Sequence, residues 1–264
     1  MKLVATDLDG TLVRSDGTVS AYTADVLAKV EALGVPVVFV TGRPLRWTEE
    51  VFEHVGEHGL AVVSNGALVW DVARHRPHLE RPIDPEVALG VAADLRTAIP
   101  EARFAVETLA GWSMESGYFS HQADVRNGFG ALAEAPIEVL LAEPVLKLLA
   151  RQPGADPDEL VAAASAVVGD RVNVTHSSFP LLEISAAHVT KASTLALLCA
   201  DLGVDAADVV AFGDMPNDLP MLAWAGTSYA MAGAHDTVLA VADRVAPPND
   251  EDGVARVLAG LLDL

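Results

Sequence analysis

Buried-strand and amphipathic-helix patterns alternate along the first 65 residues of the chain. Leu3–Thr6 and residues 35–40 are almost wholly apolar or β-branched, which predicts strands. Residues 20–33 between them carry apolar side chains at helical spacing and end before Gly34. Strands that are apolar throughout are typical of a parallel sheet covered on both faces. This part of the chain therefore predicts helices and strands alternating around a parallel sheet.

A different pattern occupies the middle of the chain, from about residue 84 to residue 183. Helical periodicity marks two stretches there, residues 85–97 and 156–168. Pro and Gly separate short runs that predict strands at residues 102–107, 112–116, 137–141 and 171–175. Short strands in succession indicate an antiparallel α+β unit.

Alternation of strands and helices resumes after residue 190. Apolar runs at residues 209–212 and 227–231 predict strands, and helical patterns lie on either side of them. The simplest arrangement is an α/β fold with an insertion. We predict a parallel-sheet core formed by residues 1–82 and 185–264, interrupted by a smaller α+β domain of residues 83–184.

Composition narrows the classes of partner. The chain has 17 Lys and Arg against 37 Asp and Glu, a net charge of −20, which disfavours nucleic acid or an anionic membrane as a partner. An anionic small molecule requires a local cation. Cys199 is the single cysteine, so an internal disulfide is excluded. Asp7 falls where a signal peptide would continue its apolar region, and no apolar run approaches the ~20 residues that span a bilayer, so we expect a cytoplasmic protein.

Acidic residues directly follow two of the predicted strands. Asp7 and Asp9 follow the first strand, two residues apart, so both carboxylates can point the same way at the carboxyl edge of the sheet. Adjacent carboxylates repel each other, and a hard divalent cation is the usual way to hold them together. Taken alone, this motif is more often an acidic turn after a strand than a metal site.

Asp214 and Asp218 follow the strand predicted at residues 209–212. If that strand neighbours the first, the four carboxylates converge on one pocket. Oxygen ligands without a His or Cys pattern favour Mg²⁺ over zinc.

Hydrogen-bond donors for a phosphate follow another apolar strand. Thr41, Gly42 and Arg43 offer a hydroxyl, a flexible backbone and a guanidinium, although a strand-to-helix turn capped by Thr41 is the alternative. Lys191 lies near the start of a predicted helix and is either a solvated lysine or a phosphate-binding cation. The second interpretation depends on the other motifs being present with it.

The four motifs, in this order, resemble those of the haloacid dehalogenase-like phosphatase superfamily, and within it the Cof-type hydrolases. They are Asp-x-Asp-Gly-Thr from Asp7, Thr-Gly-Arg from Thr41, Lys191 after the Glu183-Ile184 strand, and Gly-Asp-x-x-Asn-Asp from Gly213. The resemblance implies a Rossmann-like core with a large inserted cap that begins after Asn65-Gly66-Ala67. Two positions differ from the family pattern: Gly233 replaces a usual Asn, and Ala192 replaces a frequent Gly.

The resemblance also implies roles for individual residues. Asp7 would be the nucleophile that becomes an aspartyl phosphate, and Asp9 the general acid and then the general base. The phosphoryl group would be bound by Thr41, Gly42, Lys191 and Asn217. Mg²⁺ would be held by Asp7, Asp9 through its backbone carbonyl, Asp214 and Asp218.

The implied function is hydrolysis of small phosphorylated metabolites, with sugar phosphates favoured over nucleotide or cofactor phosphates. A phosphomutase using the same intermediate and a non-catalytic phosphometabolite-binding module are the alternatives. In this family the cap generally selects the substrate. The specificity candidates are Arg43, beside the phosphate site, and the cap residues His121, Arg126 and His176. The sequence leaves the oligomeric state open.

Overall fold

The structure, a computed structural model, describes residues 1–49, 51–52, 59–118, 131–176 and 181–264. They fall into two units, one formed by Met1–Leu79 and Thr190–Leu264, the other by Glu80–Val189. The hydrophobic pattern places the inserted domain at residues 83–184.

The strands are, in chain order, β1 (Leu3–Thr6), β2 (Val37–Val40), β3 (Leu60–Val63), β4 (Leu68–Asp71), β5 (Arg76–Glu80), β6 (Arg103–Thr108), β7 (Gly111–Met114), β8 (Lys147–Arg151), β9 (Val172–Thr175), β10 (Leu181–Ala186), β11 (Val209–Gly213), β12 (Thr227–Met231) and β13 (Arg244–Ala246). The described helices are α1 (Ala21–Ala32), α2 (Pro85–Ala98), α3 (Ile137–Leu140), α4 (Pro157–Val168), α5 (Lys191–Leu202), α6 (Leu219–Trp224), α7 (Asp236–Val241) and α8 (Gly253–Leu262). Within the described ranges, none of the helices has both the length and the apolar character needed to cross a membrane.

An eight-stranded sheet of order β13-β12-β11-β1-β2-β3-β4-β5 forms the first unit. Neighbouring strands pair in parallel from β13 to β3, and β4 joins β3 antiparallel. The apolar side chains on one face of these strands form a core with α5 and α6. The predicted α/β class with a mainly parallel sheet is confirmed.

The register of the central strands brings the predicted motifs to one edge of the sheet. Thr6 at the end of β1 is aligned with Phe212 of β11 and with Phe39 of β2. The Asp7 backbone N–H still donates to the Phe212 carbonyl, at 3.1 Å. The residues that follow these strands therefore emerge side by side at the carboxyl edge, where α/β proteins place their ligands.

Helix α5 begins where its sequence provides a strong N-terminal cap. The Thr190 side chain accepts a hydrogen bond from the Ser193 backbone N–H, and the Ser193 hydroxyl accepts one from Thr190. This reciprocal arrangement satisfies N–H groups that a helix start leaves unpaired. It fixes Lys191 as the first helical residue. Ala192 lies inside the helix, so replacement of glycine there introduces no backbone strain.

The second unit is built on a five-stranded antiparallel sheet of order β7-β6-β8-β10-β9. One face of the sheet packs apolar side chains of β6, β8 and β10 against α2 and α4. The other face carries a buried ion pair between Lys147 and Glu183. An antiparallel α+β unit is what the middle of the sequence predicts.

One predicted strand is wrong. Residues 137–140 form the single helical turn α3 after Pro136, and β8, in the centre of this sheet, is a strand that the sequence pattern does not identify. A run of four or five apolar residues is too short for its periodicity to separate helix from strand. Pro136 precedes the turn in an extended conformation, and the Ile137 N–H is bound by the Glu115 carboxylate, which stabilises the helical start.

Candidate active site

Three carboxylates converge at the carboxyl edge of the first unit's sheet. Asp7 follows β1, Asp214 follows β11, and Asp218 ends the short 3₁₀ turn Pro216–Asp218. One oxygen from each lies within 4.8 Å of the other two. Asp7 and Asp218 are buried and Asp214 is partly buried. Of the four carboxylates that the sequence predicts in one pocket, the structure brings these three together.

Lys191 lies between two of these carboxylates. Its Nζ donates to Asp7 Oδ1 at 2.7 Å and to Asp218 Oδ1 at 2.6 Å, and its side chain is 0% exposed. Burial alone would lower the pKa of Lys191, but the charges of Asp218 and Asp7 raise it above its ordinary value. Lys191 is therefore a buried cation in direct contact with Asp7, the predicted nucleophile.

The surroundings of Asp7 and Asp214 disfavour the ionised forms of these two carboxyl groups. Burial raises the pKa of Asp7 well above its ordinary value, with Lys191 opposing the rise and Asp218 and Asp214 adding to it. Burial, reinforced by the charge of Asp218, raises the pKa of Asp214 to about 7. Three carboxylates against one ammonium leave an excess of two negative charges when all are ionised. One divalent cation balances that excess, and oxygen donors suit Mg²⁺.

Asp218 is surrounded by hydrogen-bond donors. Its Oδ1 accepts from Lys191, and its Oδ2 accepts from the backbone N–H groups of Asp214 at 3.0 Å and Met215 at 3.1 Å. These contacts fix the loop that carries Asp214. Asp218 therefore holds the Lys191 ammonium and the loop of Asp214 in place.

The first motif also contacts Asp214 directly. The Thr11 hydroxyl donates to Asp214 Oδ1 at 2.8 Å. A Cβ at Gly10, where φ is +73°, would lie 2.3 Å from Asp214 Oδ2. Glycine is therefore required here both by the backbone conformation and by the close approach of the carboxylate.

Asp9 lies outside this carboxylate group in the described structure. Its side chain is 59% exposed and forms a bidentate ion pair with Arg43, whose Nε and Nη2 lie 2.7 and 2.6 Å from the two Asp9 oxygens. Arg43 Nη1 also donates to the Trp47 carbonyl at 3.0 Å. The guanidinium predicted as a specificity determinant is thus bound to the predicted general acid, a contact that the sequence analysis does not anticipate.

The remaining predicted phosphate-binding residues lie in buried loops of the same unit. The Thr41 hydroxyl accepts a hydrogen bond from the Arg43 backbone N–H at 3.0 Å, and Gly42 lies between them. Asn217 Nδ2 donates to Asn65 Oδ1 at 3.1 Å. Within the described part of the chain, Asn217 Oδ1 is buried and has no hydrogen-bond partner. The sequence motif associates Asn65 only with the start of the cap, and nothing in the residue pattern indicates this contact.

Of the three cap residues predicted to determine substrate specificity, the structure describes one. His176 is buried, and its Nε2 lies 2.9 Å from Asp158 Oδ1. His121 and Arg126 lie outside the described residues. Gly233 has φ +92°, with open space where a Cβ would be, so Asn could occupy this position only in a left-handed conformation.

Comparisons with known proteins add independent information. A family model described as haloacid dehalogenase-like hydrolase matches residues 4–258. The 5-amino-6-(5-phospho-D-ribitylamino)uracil phosphatase YitU of Bacillus subtilis is 29% identical, covering 97% of this chain and 96% of its own. The phosphoglycolate phosphatase of Methanopyrus kandleri is 27% identical, with 99% and 97% coverage.

Solved structures match over a similar extent. SMU.1108c from Streptococcus mutans has a TM-score of 0.89 at 25% identity and covers 100% of both chains. TM0651 from Thermotoga maritima has a TM-score of 0.77 at 27% identity, covering 98% of this chain and 97% of its own. The similarity therefore includes both units of the fold.

Proposed function

The chain belongs to the haloacid dehalogenase-like hydrolases, as its motifs predict, and from that membership we propose that it is a Mg²⁺-dependent phosphatase of small phosphorylated metabolites, with sugar phosphates the favoured class. The predicted enzyme class, a phosphatase of this superfamily, is confirmed by the named relatives. The observation that carries the proposal is the buried contact of Lys191 with Asp7 and Asp218 beside Asp214. The relatives' phosphorylated ribitylamino compound and phosphoglycolate are small metabolites, which supports the substrate class.

The donor set fits a magnesium ion. Asp7 and Asp214 would supply carboxylate oxygens, and Asp9 its backbone carbonyl. Because both Asp218 oxygens already accept hydrogen bonds, Asp218 would orient Lys191 and the Asp214 loop. When bound, the ion supplies positive charge that keeps the buried carboxylates ionised and reduces their repulsion of a phosphate dianion.

Asp7 is the proposed nucleophile. A carboxylate oxygen of Asp7 attacks phosphorus, the ester P–O bond breaks, and the leaving oxygen takes a proton from the Asp9 carboxyl group. Water then attacks the phosphorus of the aspartyl phosphate and gives its proton to Asp9, so phosphate leaves and both carboxyl groups return to their starting forms. Lys191 fixes one oxygen of Asp7 at 2.7 Å and so orients the carboxylate for this attack.

The phosphoryl oxygens need hydrogen-bond donors whose positions are fixed during transfer of the phosphoryl group. Lys191, the Thr41 hydroxyl, the Gly42 backbone N–H and the Asn217 side chain are the proposed donors. All lie in loops that begin at strand ends or at a capped helix start, so little rearrangement is needed to bind the anion.

The decisive experiment is release of inorganic phosphate from a panel of phosphorylated metabolites, with Mg²⁺ and with EDTA. We expect Mg²⁺-dependent release, and a loss of at least about a thousandfold in kcat for Asp7→Asn. Asp25→Asn, a change at an exposed carboxylate paired with Lys29, is the matched control and should keep the parental rate. Parental hydrolysis by Asp7→Asn would contradict the covalent mechanism.

The same panel separates the alternatives. A phosphomutase would convert a sugar phosphate to its isomer without net release of phosphate. A binding module would bind the ligand and leave it unchanged.

A further inference from the structure

The turn that follows β3 has an unusual backbone. Ser64 has φ 52° and Asn65 has φ 55°, so two successive residues with side chains adopt the left-handed conformation, followed by Gly66 at φ 100°. All three residues are buried. Side chains disfavour this conformation, and it persists where surrounding contacts hold it, often at functional sites.

Backbone hydrogen bonds tie this turn to the loop after β2. The Asn65 N–H donates to the Thr41 carbonyl at 3.0 Å, and the Ser64 N–H donates to the Arg43 carbonyl at 2.9 Å. The left-handed conformation at two residues directs both N–H groups at the same loop. Thr41 and Gly42, two of the proposed phosphate-binding residues, are held by these contacts.

The other side of the turn contacts the remaining two phosphate-binding segments. The Thr194 hydroxyl of α5 donates to the Gly66 carbonyl at 2.7 Å, and a Cβ at Gly66 would lie 2.4 Å from the Thr190 carbonyl oxygen. Asn217 Nδ2 donates to Asn65 Oδ1 across 152 residues of sequence. The turn therefore touches the segments that carry Thr41, Lys191 and Asn217.

We propose that Asn65 is a positioning residue for the phosphoryl pocket, acting through Asn217; this inference rests on the proposed function. Asn217 is 7% exposed, and its Oδ1 has no partner within the described residues. A side-chain amide has two orientations related by a half-turn, and the bond to Asn65 Oδ1 selects the one with Nδ2 towards Asn65. The second Nδ2 hydrogen is thereby fixed in direction to donate to a bound phosphoryl group, and the unpartnered oxygen to accept from a water bound beside it.

Asn65→Gly isolates the side chain from the backbone. Glycine adopts φ 55° without strain, so the variant keeps the two backbone contacts and removes only the carboxamide. We expect binding of inorganic phosphate to the Mg²⁺-loaded protein, measured by calorimetry, to weaken by about tenfold, the usual effect of losing one buried hydrogen bond. Asn249→Ala removes an equivalent amide bond, from Nδ2 to the Val13 carbonyl at 2.8 Å, and should bind phosphate within about twofold of the parent.

A double-mutant cycle tests whether Asn65 acts through Asn217. We expect Asn217→Ala to weaken phosphate binding, and Asn65→Gly to cost nothing more in that background. Additive losses, or parental phosphate binding by Asn65→Gly, would overturn the inference. If Asn65→Gly does not fold, Asn65→Ser replaces it, because its hydroxyl is too short to reach Asn217 and Ser64 already occupies a left-handed position.

The role of Asn65 and the phosphatase activity can fail independently, because the first is tested by phosphate binding and the second by hydrolysis of phosphomonoesters. Coupled loss of phosphate binding without hydrolysis of any phosphomonoester would contradict the phosphatase proposal and support the role of Asn65. Hydrolysis of a phosphomonoester, together with additive effects of Asn65→Gly and Asn217→Ala on phosphate binding, would support the phosphatase proposal and contradict the role of Asn65.

Discussion

Asp214→Asn should stabilise the metal-free protein while removing its response to Mg²⁺. Asp214 is a partly buried carboxylate beside two others, and burial and the charge of Asp218 raise its pKa from the ordinary 3.8 to about 7. Asparagine has nearly the same shape and carries no charge. Without metal, the substitution removes an unfavourable charge, and with metal it removes a ligand.

The magnitude follows from the pKa. At about 1.4 kcal/mol per pKa unit, a rise from 3.8 to about 7 corresponds to about 4 kcal/mol of unfavourable free energy for ionising Asp214 in the fold. The hydrogen bond from Thr11 loses its charge assistance in the variant, which costs about 1 kcal/mol. We therefore expect Asp214→Asn to raise the free energy of unfolding by about 3 kcal/mol at pH 8 in EDTA.

The stability gained by Asp214→Asn should increase as the pH rises. Between pH 3.8 and about 7 the folded parent binds a proton at Asp214 that the unfolded chain does not, so the stability of the parent falls as the pH rises through this window. The variant lacks this fall. Its advantage over the parent should be complete at pH 8, less than half as large at pH 5, and absent near pH 4.

Urea unfolding in EDTA at these pH values measures the difference, and repetition with saturating Mg²⁺ should stabilise the parent far more than the variant. Asp208→Asn is the matched control, because the contact with Lys2 lowers the pKa of Asp208 and the same change should bring no gain. Lower stability of Asp214→Asn than of the parent at pH 8 in EDTA, or an equal Mg²⁺ response, would refute the reasoning.

Two further predictions concern single side chains. Arg43→Lys keeps the charge but loses the bidentate contact that orients the Asp9 side chain, so we expect kcat to fall by about tenfold for alkyl phosphates, which use Asp9 both as acid and as base. The loss should be smaller for p-nitrophenyl phosphate, which uses Asp9 only as the base for water, and parental kcat for alkyl phosphates would contradict a role through Asp9. Burial raises the pKa of Cys199 to about 11, so the folded protein should resist a thiol reagent at pH 8 and react only after unfolding in urea, and rapid labelling of the native protein would contradict this.

The sequence predicts the elements whose hydrophobic pattern is long or uniform. The β-branched runs of β1, β2 and β11 and the periodic helices α1, α2 and α4 are recognisable because burial on both faces or on one stripe determines their residues. Strand β8 is missed because Lys147 is buried beside Glu183, and a charged residue at a buried position breaks the apolar pattern. Strand β4, after the Asn65-Gly66 turn, requires knowledge of an antiparallel pairing with β3 that a local pattern does not contain.

For the site, the sequence predicts that acidic residues meet at one edge of the sheet but not the contacts between the loops. Acidic residues after two strands indicate one pocket because parallel pairing of β1 with β11 brings their ends together. The contacts of Asp9 with Arg43 and of Asn65 with Asn217 join residues 34 and 152 positions apart, and neither spacing nor residue type specifies them. They depend on loop conformations that packing determines after the elements have formed.

The charge balance of the site gives a physical reason for its expected dependence on metal. The protein carries a net charge of −20, so a phosphate dianion approaches against an unfavourable field. Lys191 is compensated by Asp7 and Asp218, and the ion pair with Asp9 compensates Arg43, so neither cation brings net positive charge to the pocket. A divalent cation at Asp7 and Asp214 would remove the excess of negative charge and allow the anion to bind. Binding of the metal and of the phosphate should therefore strengthen each other, since each is otherwise opposed by the charge that the other neutralises.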